Sequence, residues 1–236
     1  MLYSLADFKI EYAAKYGCFE ALCQNYKSSG TADFELCVTE DDIRFENSVS
    51  ESPAPPDYLE TVAFYRKLAE KLPTLDAFVF HSALFDVDGV GIALTAVSGT
   101  GKTTHMSLWQ KLMGDRLTIV NGDKPIIRFI DGLPYGYGTP WSGKENLNTN
   151  MRTPLRHLCL IERAAENSCE KMEAANALDF IFNQVYMPKD PVSLVATLSL
   201  IDKLLKSCCL WRIRCNKELD AATTAYNAIF GKEIEK

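Results

Sequence analysis

Residues 95–104 read Thr-Ala-Val-Ser-Gly-Thr-Gly-Lys-Thr-Thr, and this stretch with its flanks decides the fold. The apolar run 90–94 before it predicts a buried strand, and helix-forming residues follow from Lys102. Two glycines let the backbone approach a polyphosphate, and the first N–H groups of a helix attract anions. The pattern predicts a phosphate-binding loop in which Lys102 reaches the β- and γ-phosphates and Thr103 contacts Mg²⁺. Seven residues are expected to contact the nucleotide: Ser98, Gly99, Thr100, Gly101, Lys102, Thr103 and Thr104.

An ordinary glycine turn before a helix is the alternative interpretation of this stretch. Ala96 stands where the strict phosphate-loop pattern has its first glycine, and Gly-Lys-Thr alone is common by chance. A strand, a glycine-containing loop and a helix in direct succession are much less common. We therefore favour nucleotide binding.

The residues before the loop indicate a mixed sheet. Asp88-Gly89 is a two-residue hairpin signal between the extended runs 83–87 and 90–94, so these strands are expected to pair antiparallel. Parallel nucleotide-binding sheets have no such hairpin before the loop strand. Residues 86–89 also resemble the start of a calcium loop, but no acid stands at the twelfth position, which favours the hairpin.

A metal-binding acid is predicted after the next strand. A helix over 102–113 ends at Gly114, and the strand 117–120 leads into Asn-Gly-Asp-Lys at 121–124. Acids that bind Mg²⁺ in phosphoryl-transfer enzymes occupy such a position, which makes Asp123 the candidate. The alternative is that Gly-Asp is a plain turn.

Residues 138–150 form the second unusual stretch. They are rich in glycine and asparagine, contain Trp141 and Lys144, and lack helical or strand periodicity. Such a long polar loop is often substrate-facing. The other interpretation is a surface connection with Trp141 packed against the core, and the residues alone leave both open.

The remaining segments predict the scaffold. A helix over 56–72 is expected to bury the stripe Tyr58, Val62, Tyr65, Ala69 and Leu72. Further helices are expected over 172–186 (inward Ala174, Leu178, Ile181, Val185), from Pro191 after the N-cap Asp190 (inward Leu194, Leu198, Ile201, Leu205), and after Asn216 (inward Leu219, Thr223, Tyr226, Ile229) up to Gly231. Further strands are expected at 8–12, 34–38, 77–81, 125–129, 133–137, 158–161 and 210–214, with Asp131-Gly132 as a hairpin turn. Thr39 begins a capping-box pattern without enough apolar residues after it to require a helix.

Composition limits the class of protein. The exposed-linker composition of 47–56 divides the 236 residues into an N-terminal extension, 1–55, and a main domain, 56–236. A net charge of −6 argues against nucleic-acid binding, and no run approaches the roughly 18 apolar residues of a membrane helix. The first residues lack the features of a signal peptide. Eight cysteines without a C-x-x-C pair, and only three histidines, predict free thiols in a cytoplasmic protein without a structural zinc.

These motifs together resemble a known group of proteins. Residues 98–104 resemble the nucleotide loop of ATP-dependent phosphoenolpyruvate carboxykinases, and the wider layout is similar to the catalytic domain of HPr kinase/phosphorylase and its small bacterial relatives. The matching order is His81, the Asp88-Gly89 turn, Lys102-Thr103 and Asp123. Residues 56–150, with their T-P-W-x-G-K loop, carry most of the resemblance.

The resemblance implies an α/β nucleotide-binding core on a mixed sheet, with an N-terminal α+β extension, and transfer of a phosphoryl group from ATP–Mg²⁺ to a hydroxyl. Lys102 and the loop amides would hold the phosphates, and Thr103 and Asp123 the metal. His81 would lie near the γ-phosphate, and Lys144 would offset charge on the transferred group or anchor an anionic acceptor. The expected partners are a nucleotide and a hydroxyl-bearing small molecule or protein, and a homo-oligomer is left open.

Gly122 stands where the kinase family has the first acid of a pair, which supplies the catalytic base. Asp123 would then serve as both metal ligand and base. Two functions follow: a kinase-like phosphotransferase, which we favour, or a nucleotide-binding module without turnover that acts as a sensor or assembly partner.

Overall fold

The computed structural model describes residues 1–231 and residue 233. The strands are β1 (Leu2–Leu5), β2 (Phe8–Glu11), β3 (Phe34–Glu35), β4 (Ala77–Val79), β5 (Ala83–Val87), β6 (Val90–Thr95), β7 (Leu117–Asn121), β8 (Ile126–Ile130), β9 (Leu133–Tyr137), β10 (Arg152–Arg163), β11 (Ser168–Lys171) and β12 (Cys209–Cys215). The α-helices are α1 (Gly17–Leu22), α2 (Glu40–Val49), α3 (Pro56–Lys71), α4 (Lys102–Met113), α5 (Ala174–Phe182), α6 (Pro191–Ser207) and α7 (Leu219–Phe230).

A curled mixed sheet organises the molecule. Its main path has the order β4-β8-β9-β10-β6-β5-β7, and β12, which also carries β11, pairs with β10. β6 runs antiparallel to β5 and parallel to β10, so the mixed sheet predicted from the hairpin is confirmed. Asp88 and Gly89 form the turn with φ of 52° and 85°, which suits Gly and Asp.

The long strand β10 joins the two halves of this sheet. Residues 152–154 pair with β9, and residues 155–160 pair with β6. Residues 157–163 pair with β12 in parallel. The sequence predicts only residues 158–161 of this strand, because Pro154, Arg156 and Arg163 interrupt the apolar pattern.

Residues 1–49 form more regular structure than the sequence predicts. β1 and β2 form a hairpin whose turn residues, Ala6 and Asp7, have φ of 53° and 61°; no glycine marks this turn. The predicted strand at 34–38 contracts to Phe34–Glu35. The Thr39 capping box does start a helix, α2, which extends to Val49 and shortens the predicted linker.

The hydrophobic core continues across the proposed boundary at residue 55. Phe19, Phe64 and Tyr12 pack within 4.7 Å of one another, measured between ring centroids. The same cluster includes Ile126 and Tyr137 of the main sheet. Residues 1–55 therefore share a core with α3 and the sheet.

A buried carboxylate fixes this junction. Glu60 of α3 has no exposed surface and accepts hydrogen bonds from the Tyr12 hydroxyl (2.8 Å), the Lys15 N–H (2.6 Å) and the Tyr16 N–H (3.1 Å). Burial, and then the bond to Glu60, raises the pKa of Tyr12 above its usual range. Three donors from the N-terminal segment thus converge on one side chain of α3.

The inward faces of several helices agree with the prediction only in part. Nine of the predicted inward residues are buried: Tyr65, Ala69, Leu72, Ile181, Val185, Ile201, Leu205, Tyr226 and Ile229. Tyr58 is 53% exposed, whereas the buried face of α3 includes Leu59, Ala63, Phe64 and Leu68. In α5 and α6, Leu178 and Leu198 are exposed, and the buried residues include Ala177, Ile181, Leu200 and Leu204. In α7, Leu219 is exposed, and the N-cap is Glu218 rather than Asn216. The helix α5 is shorter than the predicted range 172–186. In each case apolar residues occupy two faces, so periodicity alone did not identify the buried one.

Candidate functional site

The predicted strand–loop–helix is present around the glycine-containing loop. β6 ends at Thr95 and α4 begins at Lys102. Gly99 and Gly101 have φ of 77° and 124°, a region that side-chain-bearing residues rarely adopt. Arg163 of β10 donates to the carbonyl oxygens of Gly99 and Thr100, the latter at 3.0 Å. Arg163 thus holds the loop through two backbone carbonyl oxygens. The binding of phosphate by the loop stays a prediction.

Lys102 points from the start of α4 towards His81. The Lys102 side chain is buried, and its Nζ lies 3.0 Å from His81 Nε2 and 3.4 Å from the Ala96 carbonyl oxygen. Burial lowers the pKa of Lys102, and the opposing attraction of Asp123 does not fully offset it. A phosphate group at this amine would therefore satisfy a cation that makes no ion pair with a carboxylate of residues 1–231 or 233.

Asp123 completes a contact chain with His81 and Lys102. Its Oδ1 lies 3.1 Å from His81 Nε2, and its Oδ2 accepts a hydrogen bond from Lys124 Nζ. Burial raises the pKa of the Asp123 carboxyl, but the hydrogen bonds from His81 and Lys124 outweigh burial and hold the pKa well below its usual range. Lys102, His81 and Asp123, far apart in the sequence, are therefore brought together, with the His81 ring between the Lys102 amine and an ionised carboxylate.

The turn that holds Asp123 is fixed by residues that the sequence analysis did not assign. Asn121 is fully buried, and its Oδ1 accepts from the N–H groups of Asp123 (2.9 Å) and Lys124 (2.7 Å). The hydroxyls of Tyr65 and Thr139 donate to the Lys124 carbonyl oxygen at 2.6 and 2.8 Å. The Asn-x-Asp spacing, typical of an Asx turn, was the available signal for Asn121. No local signal connects Tyr65, 58 residues before Asp123, to this turn.

The loop 138–150 packs on the core through Trp141, and its contact with a substrate stays a prediction. Trp141 packs against the core, stacked on Tyr65 with ring centroids 4.1 Å apart and planes at 14°, and on Phe64 at 5.8 Å and 8°. The same loop also lines a cavity of about 910 Å³. Trp141 thus anchors a loop of which Pro140, Ser142, Gly143, Lys144 and Asn146 also line the cavity.

This cavity connects the predicted residues with a face of α3. His81, Asp123, Lys124 and Lys144 line it together. Its lining also includes Tyr58, Val62, Tyr65 and Ala69 of the α3 stripe that was predicted to be core. Tyr65, Ala69 and Leu72 of this stripe are buried in the core as predicted, so the stripe contributes both to the core and to the cavity wall. Ser98, Gly99 and Thr100 line a second cavity, of about 560 Å³, together with Arg163 and Phe180.

Packing of the 138–150 loop explains the glycine at position 122. A Cβ on Gly122 would lie 2.8 Å from the Ser142 carbonyl oxygen and 3.4 Å from the Leu147 carbonyl oxygen. The Gly122 N–H donates to the Leu147 carbonyl oxygen at 2.8 Å. The loop thus occupies the space that an acidic side chain would need.

We expect Gly122→Asp to destabilise the protein by about 2–3 kcal/mol, because the side chain must displace backbone carbonyls. Gly122→Ala should cost about 1–2 kcal/mol for the same reason. Urea denaturation measures both changes, and Gly17→Ala, where nothing lies within 4 Å, is the matched control. An unchanged midpoint for Gly122→Asp would show that the loop moves aside freely.

The residues present are compatible with Mg²⁺ held largely by a nucleotide. Mg²⁺ sites with phosphates commonly use one or two protein ligands and retain waters. Asp123 offers an ionised carboxylate, and the half-buried Thr103 lies one residue after Lys102. Across residues 1–231 and 233, no group of three or more His, Cys, Asp or Glu is arranged to hold a metal without such help.

The other two histidines, His105 and His157, are each hydrogen-bonded to a tryptophan. The Nε1–H of Trp109 donates to His105 Nε2 (3.2 Å), and that of Trp211 donates to His157 Nδ1 (3.1 Å). Burial lowers the pKa of each histidine to about 4.

All eight cysteines are free thiols. Within the described part of the chain, every helix is too short or too polar to cross a bilayer.

Comparison with known proteins gives a weak structural likeness. No protein-family model and no curated protein sequence matches the chain. Among solved structures, the chain is similar to the HPr(Ser) kinase/phosphatase from Coxiella burnetii, with 10% sequence identity and a TM-score of 0.30 over 54% of this chain and 87% of that one. A likeness at this level does not establish membership of that family, so the resemblance stated from the motifs stays a prediction.

Proposed function

We propose that this protein is a phosphotransferase that uses ATP and Mg²⁺ and transfers the γ-phosphoryl group to a hydroxyl. One observation carries the proposal: Lys102, at the start of the helix after the glycine-containing loop, His81 and Asp123 form a single contact chain beside a large cavity. Phosphoryl transfer needs a metal, positioning and charge compensation more than covalent chemistry. This arrangement contains the side chains for each.

The residues have distinct roles in this proposal. The N–H groups of 98–104 and the Lys102 amine bind the phosphates, and Thr103 and Asp123 bind the metal. His81 lies beside the γ-phosphate, and Asp123 receives the proton of the acceptor hydroxyl, since Gly122 carries no acid. Lys144 compensates the charge of the acceptor or of the transferred group from the cavity side.

A nucleotide-binding module without turnover is the second candidate. One observation favours it: the Ser142 and Leu147 carbonyls occupy the place of a first acid at position 122. Asp123 is also engaged with both His81 and Lys124. MgATP binding without transfer or hydrolysis, tested across hydroxyl acceptors, would support this second function.

MgATP is expected to stabilise the protein, and Lys102→Ala to remove most of that stabilisation. A ligand at about 100 times its dissociation constant stabilises the folded state by about 2.7 kcal/mol. Lys102 is the buried cation at the loop, so its loss leaves only backbone N–H groups to balance the phosphate charge. Thermal melts with ATP, ADP and GTP, each with Mg²⁺, measure the effect.

Lys111→Ala, in the exposed last turn of α4, is the matched control and should retain the full shift. The absence of a shift with every nucleotide for the unmodified protein would contradict phosphate binding at this loop.

A further inference from the structure

The cavity beside Asp123 extends well beyond the expected site of phosphoryl transfer. Tyr65 marks one position on its wall, since the Tyr65 hydroxyl is bonded to the Lys124 carbonyl oxygen of the Asp123 turn. From Tyr65 the wall continues along α3 to Val62 and Tyr58. Seven helical residues at 1.5 Å each span about 10 Å. A serine-sized acceptor would leave most of this length empty.

The wall along α3 is largely apolar and aromatic, with Thr61 and Arg66 as its polar members. Tyr58, Val62 and Ala69 lie there, and Leu22 and Cys18 of the N-terminal segment add to the lining. Six separate parts of the chain enclose the space: the N-terminal segment, α3, residues 79–81, residues 123–124, the loop 140–146 and residues 183–186. A volume of about 910 Å³ is within the usual range of small-molecule pockets, about 300–1,000 Å³.

The charges of the lining leave one cation without a carboxylate partner. Arg66 is neutralised by Asp42 and Glu70 at 3.1 Å each and by Glu46 at 2.5 Å. Lys124 is paired with Asp123. Among the described residues of the lining, Lys144 is the cation that makes no ion pair, and it belongs to the 138–150 loop that packs against the Asp123 turn.

We infer that the acceptor is a small hydroxy compound with one anionic group and an apolar or aromatic body, bound in this cavity. The inference rests on the proposed phosphotransfer for its hydroxyl and on the cavity for the rest. The anionic group pairs with Lys144, the body lies along Val62 and Tyr58, and the hydroxyl faces Asp123. During transfer, the acceptor oxygen bonds to the γ-phosphorus as the bond from that phosphorus to the bridging oxygen breaks. ADP leaves with that oxygen, and the hydroxyl proton passes to Asp123.

The experiment compares two hydroxy acids that differ only in the body. Binding of 3-phenyllactate and of lactate is measured by calorimetry without nucleotide, and transfer is measured separately with γ-labelled ATP. We expect 3-phenyllactate to bind at least ten times more tightly than lactate and to be phosphorylated. Equal affinities, or transfer to a seryl peptide but to neither hydroxy acid, would overturn the inference.

Substitutions on the cavity wall test whether 3-phenyllactate binds along α3. Val62→Trp fills the wall and should weaken 3-phenyllactate at least ten-fold, with MgATP affinity unchanged; Val195→Trp, on the exposed face of α6, is the matched control. Tyr58→Ala, at a site already 53% exposed, keeps the test independent of folding and should weaken binding about five-fold. No effect of either would overturn the inference.

The Lys144→Ala variant tests whether Lys144 pairs with the anionic group of the acceptor. This variant should weaken 3-phenyllactate about ten-fold and leave the neutral analogue 3-phenyl-1,2-propanediol unchanged. Equal weakening of both compounds would overturn the anionic part of the inference. Binding of 3-phenyllactate by a protein that binds no nucleotide would contradict the proposed phosphotransfer while supporting the ligand class of the cavity.

Discussion

Asp123→Asn is expected to lower phosphoryl-transfer turnover about a thousand-fold while changing MgATP affinity less than about ten-fold. The amide preserves the shape of the side chain and its contact with His81, but it neither accepts the acceptor proton nor binds Mg²⁺ well. The loop N–H groups and Lys102 still hold the phosphates. Single-turnover kinetics and equilibrium nucleotide binding separate the two effects.

Asp131→Asn is the matched control for this prediction. Asp131 lies in the other Asp-Gly hairpin turn of the sheet, is exposed, and has φ of 50°, which asparagine tolerates. It should leave turnover and affinity unchanged. Turnover that survives Asp123→Asn would assign the proton to another group, and a parallel loss of binding would make Asp123 chiefly a nucleotide ligand.

Glu60→Ala is expected to destabilise the protein by about 3–4 kcal/mol. The change removes the buried acceptor of three hydrogen bonds, so the buried Tyr12 hydroxyl and the partly buried N–H groups of Lys15 and Tyr16 lose their partner. A loss of 3–4 kcal/mol, about the expected size, is a large fraction of the free energy of unfolding of a typical domain. Denaturant unfolding monitored by tryptophan fluorescence measures it.

Glu40→Ala provides the control for Glu60. Glu40 also contacts Lys15, at 2.6 Å, but it is 57% exposed, and such ion pairs contribute little. Its loss should cost less than about 0.5 kcal/mol. Equal effects of the two substitutions would show that burial of Glu60 carries no special weight.

Local signals in the sequence predicted the centre of the fold. The Asp88-Gly89 turn fixed the antiparallel pair β5–β6, and Gly101-Lys102 marked the start of α4. Both depend on backbone preferences of adjacent residues, which a single sequence contains. The Ala6-Asp7 turn was missed for the same reason, since its residues adopt left-handed angles without the usual glycine.

The arrangement of the site was predictable only in part. The motif order indicated that His81, Lys102 and Asp123 belong together, and the structure places them in contact. The cavity depends on which face of α3 is buried, and two apolar faces made that choice ambiguous. Tyr65 was predicted to be a core residue and is buried, and its hydroxyl also holds the turn of Asp123. Long-range pairings of this kind leave no trace in local periodicity.

The contacts between the first hairpin and the distant strands have a consequence for biosynthesis. The Asp7 carboxylate pairs with Arg152 and accepts from the Tyr137 hydroxyl, and Arg128 donates to the Ala6 carbonyl oxygen, over separations of 122 to 145 residues. At 5–20 residues per second, a ribosome needs roughly 6 to 30 seconds to deliver these partners. We expect nascent chains arrested at about 120 residues to expose the hairpin to protease, and chains arrested about 60 residues later to protect it. Early protection would mean that the hairpin is sheltered by the nearer helix α3 before the sheet exists.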